Sequence, residues 1–287
     1  MRTEPEFSYG VCRLGAAAIL SAPGDRGELV TQLLFGETVE VLDQRGKNWQ
    51  KVRASWDNTI GWLRYGQLLP IGADDFLNYR RDIAHTADLL QPVFGPDRAL
   101  PVPLGASLPG YDGIRFLMGN EFYRFSGQVV QPEQFKPSVA FLLSLINRYH
   151  YAPELAGGRT PLGIDAGGLI QNVFRLMNLR TYRQPVRQVR QGKLVEFIQD
   201  ALPGDLAFFE NKRGQVVHAG ILLPDQKIAH VHGFVRIDPV DHQGIFDEAE
   251  GRYTHQLRLI RRLVALEPLP PEIELERKSS PKQIRLF

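Results

Sequence analysis

A single cysteine, Cys12, stands in the 287 residues. No internal disulfide can form, and the redox compartment is left undecided. No stretch approaches the roughly 18 consecutive apolar residues of a membrane helix, so no membrane span is expected. An excess of one charge is missing too. The formal net charge of +2 provides no large basic field, and no nucleic-acid partner is expected. The N-terminus carries Glu4 and Glu6 where a secretory leader would place basic and then apolar residues. The expectation is a cytoplasmic protein or a secreted or periplasmic one whose leader was trimmed. What is present is ordinary for a globular chain: 43% hydrophobic, 10% aromatic and 23% charged residues supply real cores and exclude wholesale disorder. At roughly 100–200 residues per domain, the length suggests two or three units.

Residues 8–70 read as short strands separated by turns. Apolar-rich or alternating runs at Val11–Leu14, Leu29–Leu34, Thr38–Leu42, Trp49–Val52 and Ile60–Leu63 are punctuated by Gly24, Gly27, Gly36, Gly46 and Asn58. Such a run of short strands predicts a small, strongly bent barrel over 1–71. Residues 72–95 begin with Asp74 and Asp75 and predict one or two helical connectors. Leu100–Leu104, Ile114–Met118 and Glu121–Phe125 predict a second small β unit, giving a middle segment of 72–135. A helix is expected over Pro137–Tyr149, with Val139, Leu142, Leu143 and Ile146 on one face. After a Gly-rich bend, a second helix is expected over Asp165–Met177. Strands return over 205–263: Leu206–Phe209, Val216–Leu223, Lys227–His232, Phe234–Ile237 and Leu257–Leu263. The third unit is thus 136–265, and the proline-rich, charged stretch 266–287 reads as a tail or strap.

Four segments of the third unit carry a resemblance. Gly157-Gly-Arg-Thr-Pro-Leu-Gly-Ile-Asp-Ala-Gly-Gly168 is similar to the motif Gly-Gly-x-x-x-x-Gly-x-Asp-Cys-Ser-Gly. Pro203-Gly-Asp-Leu-Ala-Phe-Phe209, His218-Ala-Gly-Ile-Leu222 and Lys227-Ile-Ala-His230 follow in the matching order and spacing. Together they resemble NlpC-type peptidases, papain-like cysteine hydrolases of peptidoglycan stem peptides. Leu29–Leu42, Trp49 and Gly61-Trp62 resemble a bacterial SH3 domain, which often precedes this domain in enzymes that cut γ-D-glutamyl-L-diamino-acid bonds. A second SH3-like unit is plausible in the middle segment. The fold this implies is α+β: N-terminal SH3-like barrel(s) plus a papain-like NlpC-type domain.

In such a site a Cys at a helix N-terminus is drawn toward thiolate by the helix dipole and a neighbouring His. The thiolate attacks the amide carbonyl, the His protonates the leaving amine, and a further polar group fixes the tautomer. The resemblance places His218 as the base and His230 as its orienter. It also places Ala166 at the nucleophile position. A methyl group offers no lone pair, so none of the catalytic set is intact as a triad; in the best-studied serine case, losing the nucleophile costs roughly 10⁶ in turnover. Cys12, in a barrel strand, reads as a small buried hydrophobe.

Other positions depart as well. Gly167 replaces the motif Ser. Glu154 and Ala156 stand where relatives carry Tyr and Trp. Ala22 stands where a Glu would hold the substrate amine, and Thr59 where a pocket Tyr is common. Departures at several pocket positions at once indicate a natural change rather than a laboratory knockout. Asp165 survives and has two readings: a carboxylate capping the following helix, worth about 1 kcal/mol, or the ligand for a substrate amine that the family would imply. His218 and His230 read as relics kept by hydrogen bonding in a core. His232 shares a strand face with His230. Three imidazoles with Asp165 or Asp205 are a conceivable zinc set, but the spacing is common by chance, and no metal or cofactor is expected. The arginines at 180, 183, 187 and 190 read as a solvated face. Asp205 is expected to bond to backbone within its Pro-Gly-Asp turn.

The leading expectation is a catalytically silent homologue of the peptidases. It would bind a peptidoglycan-derived peptide or a protein partner in a remodelled cleft between 154–168 and 218–232, with Asp165, Gly167, Glu154, Ala156, Thr59 and Ala22 as the ligand-facing set. The alternatives are an active endopeptidase seen without its nucleophile, a metal-dependent hydrolase, and an assembly role resting on the SH3-like units and the tail.

Overall fold

A computed structural model describes residues 2–3, 7–81, 83–134 and 136–269. The first unit is an eight-stranded antiparallel sheet. Its path runs Leu29–Leu34, Ala16–Leu20, Ile60–Arg64, Trp49–Ala54, Thr38–Arg45, Tyr9–Cys12, Leu68–Ile71, and Arg2–Thr3 pairs onto Thr38–Arg45. Alternation seats Val39, Val41, Val52, Leu63 and Ile19 in its core. Two strands here escaped the sequence pattern. Ala16-Ala-Ala-Ile-Leu20 is poor in strand-favouring residues, and Leu68–Ile71 contains Pro70; both exist because neighbouring strands pair with them.

The middle segment departs from expectation. Among the described residues of 72–95, where one or two helical connectors are expected, α1, Ala73–Asn78, is the helical part, with Asp74 and Asp75 in its first turn. The rest of that stretch forms two strands. Ile83–Thr86 pairs with Ser107–Pro109 and Val129–Val130, and Leu90–Phe94 pairs with Ala99–Pro103 and Glu121–Arg124. Tertiary pairing overrides a helical period too short to sustain itself. Phe35 from the first unit packs edge-on to Phe116 (6.0 Å) and Tyr123 (5.9 Å) of the middle segment, so the two share a core.

In the third unit α2, Val139–Tyr149, starts later than Pro137. The Ser138 hydroxyl accepts from Phe141 N–H at 3.2 Å and fixes the N-terminus there. α3, Ala166–Leu176, lies between Asp165 and Met177 as its caps. Both helices contribute to one core with the sheet, whose order is Lys193–Val195, Arg252–Arg262, Leu206–Glu210, Val216–Leu223, Lys227–His232, Phe234–Pro239. Gly244–Asp247 also pairs with Arg252–Arg262, a strand that starts five residues before the expected Leu257. Of the tail, Leu266 packs against the core and Glu267 bridges Ser138. Residues 270–287 lie outside the described residues. Among the described residues no helix is long and apolar enough to cross a membrane.

Candidate active site

The site is built around the N-terminus of α3. Asp165 is extended and its carboxylate accepts from Gly168 N–H at 2.7 Å, which caps the helix. The same carboxylate accepts from Gly157 N–H at 2.8 Å and from both terminal nitrogens of Arg183 at 2.7 and 2.9 Å. Four donors therefore converge on its two oxygens. The Arg183 side chain is 4% exposed and spends its remaining donors on Thr31 Oγ1 and the Gly158 carbonyl. The arginines at 180, 183, 187 and 190 are thus not one solvated face. Arg183 is drawn inside by Asp165, and Arg180 lies over the Trp56 ring at 5.1 Å. A bidentate fork to a partly buried carboxylate outweighs the hydration that a surface position would offer.

Ala166, the first residue of α3, is half-buried, and α3 packs on the strands that carry His218 and His230. Those two rings are joined. His218 Nε2 lies 3.1 Å from His230 Nδ1, and His230 Nε2 lies 2.7 Å from Asp238 Oδ2. Arg236 donates on to Asp238 and to Asp247. With Nε2 of His218 spent on His230, Nδ1 is the nitrogen left for a reacting group.

Burial, and then the neighbouring imidazoles, push His218 well below the ordinary histidine range. His230 is also lowered, chiefly by burial, against the opposing pull of Asp238. The His230–Asp238 contact is therefore a neutral imidazole donating to a carboxylate, not an ion pair at neutral pH. Burial raises Asp238, but the His230 and Arg236 hydrogen bonds outweigh it and the carboxyl ends below its usual value.

His255 completes the cluster. It stacks on His218 with centroids 4.1 Å apart and meets His232 edge-on at 5.2 Å. Burial, then the other imidazoles, bring it to about 4. His218, His230 and His255 place ligand atoms within 4.8 Å of one another, and neutral imidazoles are the form a metal binds. The 28° between the stacked His218 and His255 planes keeps their in-plane lone pairs in two nearly parallel planes, so a tetrahedral zinc would need one ring to rotate. Cys12 is no substitute nucleophile. Its thiol is fully buried in the first unit and pushed up to about 12 by burial.

The remaining positions are spread around this centre. Glu154 is exposed, and its carboxylate and N–H both bond to Gly233, at 2.7 and 2.9 Å. It thereby ties the segment before Gly157 to the turn after His232. Ala156 is exposed beside Gly157. A Cβ on Gly157 would meet the Leu29 carbonyl at 2.4 Å, so the first unit closes directly onto this bend. A Cβ on Gly167 would lie 2.2 Å from the Arg183 carbonyl, so the motif serine has no room here. Thr59 is buried in an Asx turn, its N–H donating to Asp57 Oδ1, while Asp57 Oδ2 accepts from Gln171 of α3. Ala22 is half-buried in the loop between Leu20 and Leu29. Asp205 accepts from Leu202 N–H within its turn and from Arg262.

Sequence reasoning missed Asp238 and His255. Both lie just past the predicted strand ends, and the alternation through Tyr253 and His255 was the available signal. It also missed Arg183 as a partner of Asp165, for which local sequence holds no signal.

Comparison with known proteins agrees with this fold. Residues 151–251 match the family model of NlpC/P60 proteins, and residues 19–68 match that of the bacterial dipeptidyl-peptidase SH3 domain. A crystal structure of an NlpC/P60 family protein from Bacillus cereus superposes with a TM-score of 0.76 at 19% identity, covering 90% of this chain and 100% of its own. An NlpC/P60 endopeptidase from Photobacterium damselae subsp. piscicida superposes at 0.67 and 14% identity, covering 88% of this chain and 70% of its own. At these identities the likeness is one of fold. No curated protein matches the chain.

Proposed function

For a chain that joins a bacterial SH3 domain to an NlpC/P60 domain, we propose a non-hydrolytic role: binding a peptidoglycan-derived peptide or a protein partner in the cleft above Ala166. One observation carries this reading. The base, its orienter and the carboxylate behind them are aligned, yet the group they would serve is a methyl. Acyl transfer by this route has no acceptor atom for the carbonyl carbon.

Two further features support a remodelled rather than an idle cleft. Arg183 already fills the coordination of Asp165, so a free substrate amine would have to displace a buried guanidinium. Gly167 is closed over by the Arg183 carbonyl. Peptides recognised without a free N-terminal amine are therefore the favoured ligands.

The test is direct. Purified chain, incubated with γ-D-glutamyl-L-diamino-acid muropeptides and followed by mass spectrometry, is expected to release no fragment, and Ala166→Cys to restore no sustained turnover. Cleavage by the native chain would overturn the proposal. Robust turnover from the single Cys would favour the second reading, an endopeptidase whose nucleophile alone was replaced, for which the preserved His218–His230–Asp238 chain speaks. Stoichiometric zinc lost in His218→Ala would favour the metal-dependent alternative.

A further inference from the structure

A second cavity, of about 290 Å³, opens where the three units meet. It shares no residue with the Ala166–His218–His230 cluster. Its α3 lining begins at Arg175, nine residues along the helix from Ala166, or about 13 Å at 1.5 Å per residue. Glu37 from the first unit, Arg159 and Arg175 from the third and Ser107 from the middle segment form its floor. Glu37 pairs with both arginines, and Arg175 also donates to Ser107 Oγ at 2.8 Å. All three charged side chains are 4% exposed. One carboxylate thus faces two guanidiniums, and Arg80 and Arg180 add positive charge at the rim. Asp57 is the remaining acid in the lining, and its oxygens are held by Thr59 N–H and Gln171.

The hydrogen-bond inventory has the same sign. Among the lining side chains, two buried polar atoms lack a partner, Arg175 Nε and Trp56 Nε1, and both are N–H donors. Arg175 and Arg180 both lie over the Trp56 ring, at 4.8 and 5.1 Å, which fixes the guanidiniums against a rigid surface. Excess positive charge is the complement of an oxyanion; the two orphaned donors are shielded from the cavity and add only their positive ends to its field. Guanidinium forks favour phosphate in particular. The volume is that of about ten waters, more than a lone phosphate fills, so a phosphate carrying a further group fits.

We propose that this junction cavity is a binding site for a small phosphate-bearing molecule, distinct from the peptide cleft and independent of its chemistry. Occupancy would neutralise the excess charge and brace the three units together.

Thermal unfolding of the full chain at constant ionic strength, titrated with inorganic phosphate and pyrophosphate, tests this. Chloride and succinate serve as comparison anions. A saturable rise in Tm with the phosphates alone is expected. Arg180→Gln, at the exposed rim, is expected to weaken the apparent affinity by about tenfold. Arg187→Gln, outside the cavity, should leave it unchanged. No saturable shift, an equal shift with chloride or succinate, or full affinity in Arg180→Gln would overturn the proposal.

Discussion

His218, His230 and His255 are three imidazoles held neutral in one buried cluster, and His85 is a fourth, brought to about 4 by burial in the middle segment. In the unfolded chain each returns to about 6.5. Between those values the unfolded state binds more protons than the folded state, so stability must fall as pH falls. A histidine lowered by folding adds nothing to pH dependence above its unfolded value and costs stability below it. Chemical denaturation is expected to show a constant midpoint above about pH 7 and a declining one from about pH 6.5 toward 4. His255→Phe should make the decline shallower. A flat profile between pH 7 and 5 would contradict the neutral cluster. Carboxylates lowered in the fold, such as Asp238 and Asp247, lose their contribution only below about pH 5, so the histidine part of the decline is read between about pH 6.5 and 5.

At the scale of elements, α3 is held at both ends by other parts of the chain. Its N-terminus is capped by Asp165, itself clamped by Arg183. Further along, buried Gln171 donates to Asp57, and buried Asn172 donates to Tyr149 Oη and the Arg159 carbonyl. The clamp depends on Gly167, whose bare Cα lets the Arg183 carbonyl approach. Restoring the motif residue by Gly167→Ser should push the 180–185 segment outward and destabilise the fold by about 1–3 kcal/mol, as overpacking does. Urea unfolding would measure it, and Gly167→Ser with unchanged stability would show that the segment yields freely. In that event the Asp165 carboxylate would also be easier to uncover than the static arrangement suggests.

The whole molecule is fastened at Glu37. This one buried carboxylate from the first unit pairs with Arg159 and Arg175 of the third, and Arg175 reaches Ser107 of the middle segment. Glu37→Gln would leave two buried guanidiniums without the carboxylate they both pair with, a loss expected at about 3–5 kcal/mol. Because the charge sits between units, the expected outcome is not only a lower midpoint. The single cooperative transition should broaden or split as the first unit loosens, which calorimetry would resolve. A normal Tm and one sharp transition in Glu37→Gln would show that the shared apolar core around Phe35, Phe116 and Tyr123 suffices.

Local pattern was enough for the α+β architecture and for both long helices to within two residues. Hydrophobic period, turn residues and motif order are written in neighbouring positions. Contacts between distant segments were not legible in this way. Arg183 meets Asp165 because the chain turns back after α3. Asp238 and His255 join the histidines because strands pair beyond their apolar runs, and Glu37 meets two arginines more than a hundred residues away. Burial and charge compensation at those places depend on which segments pack together, and only the tertiary structure decided that.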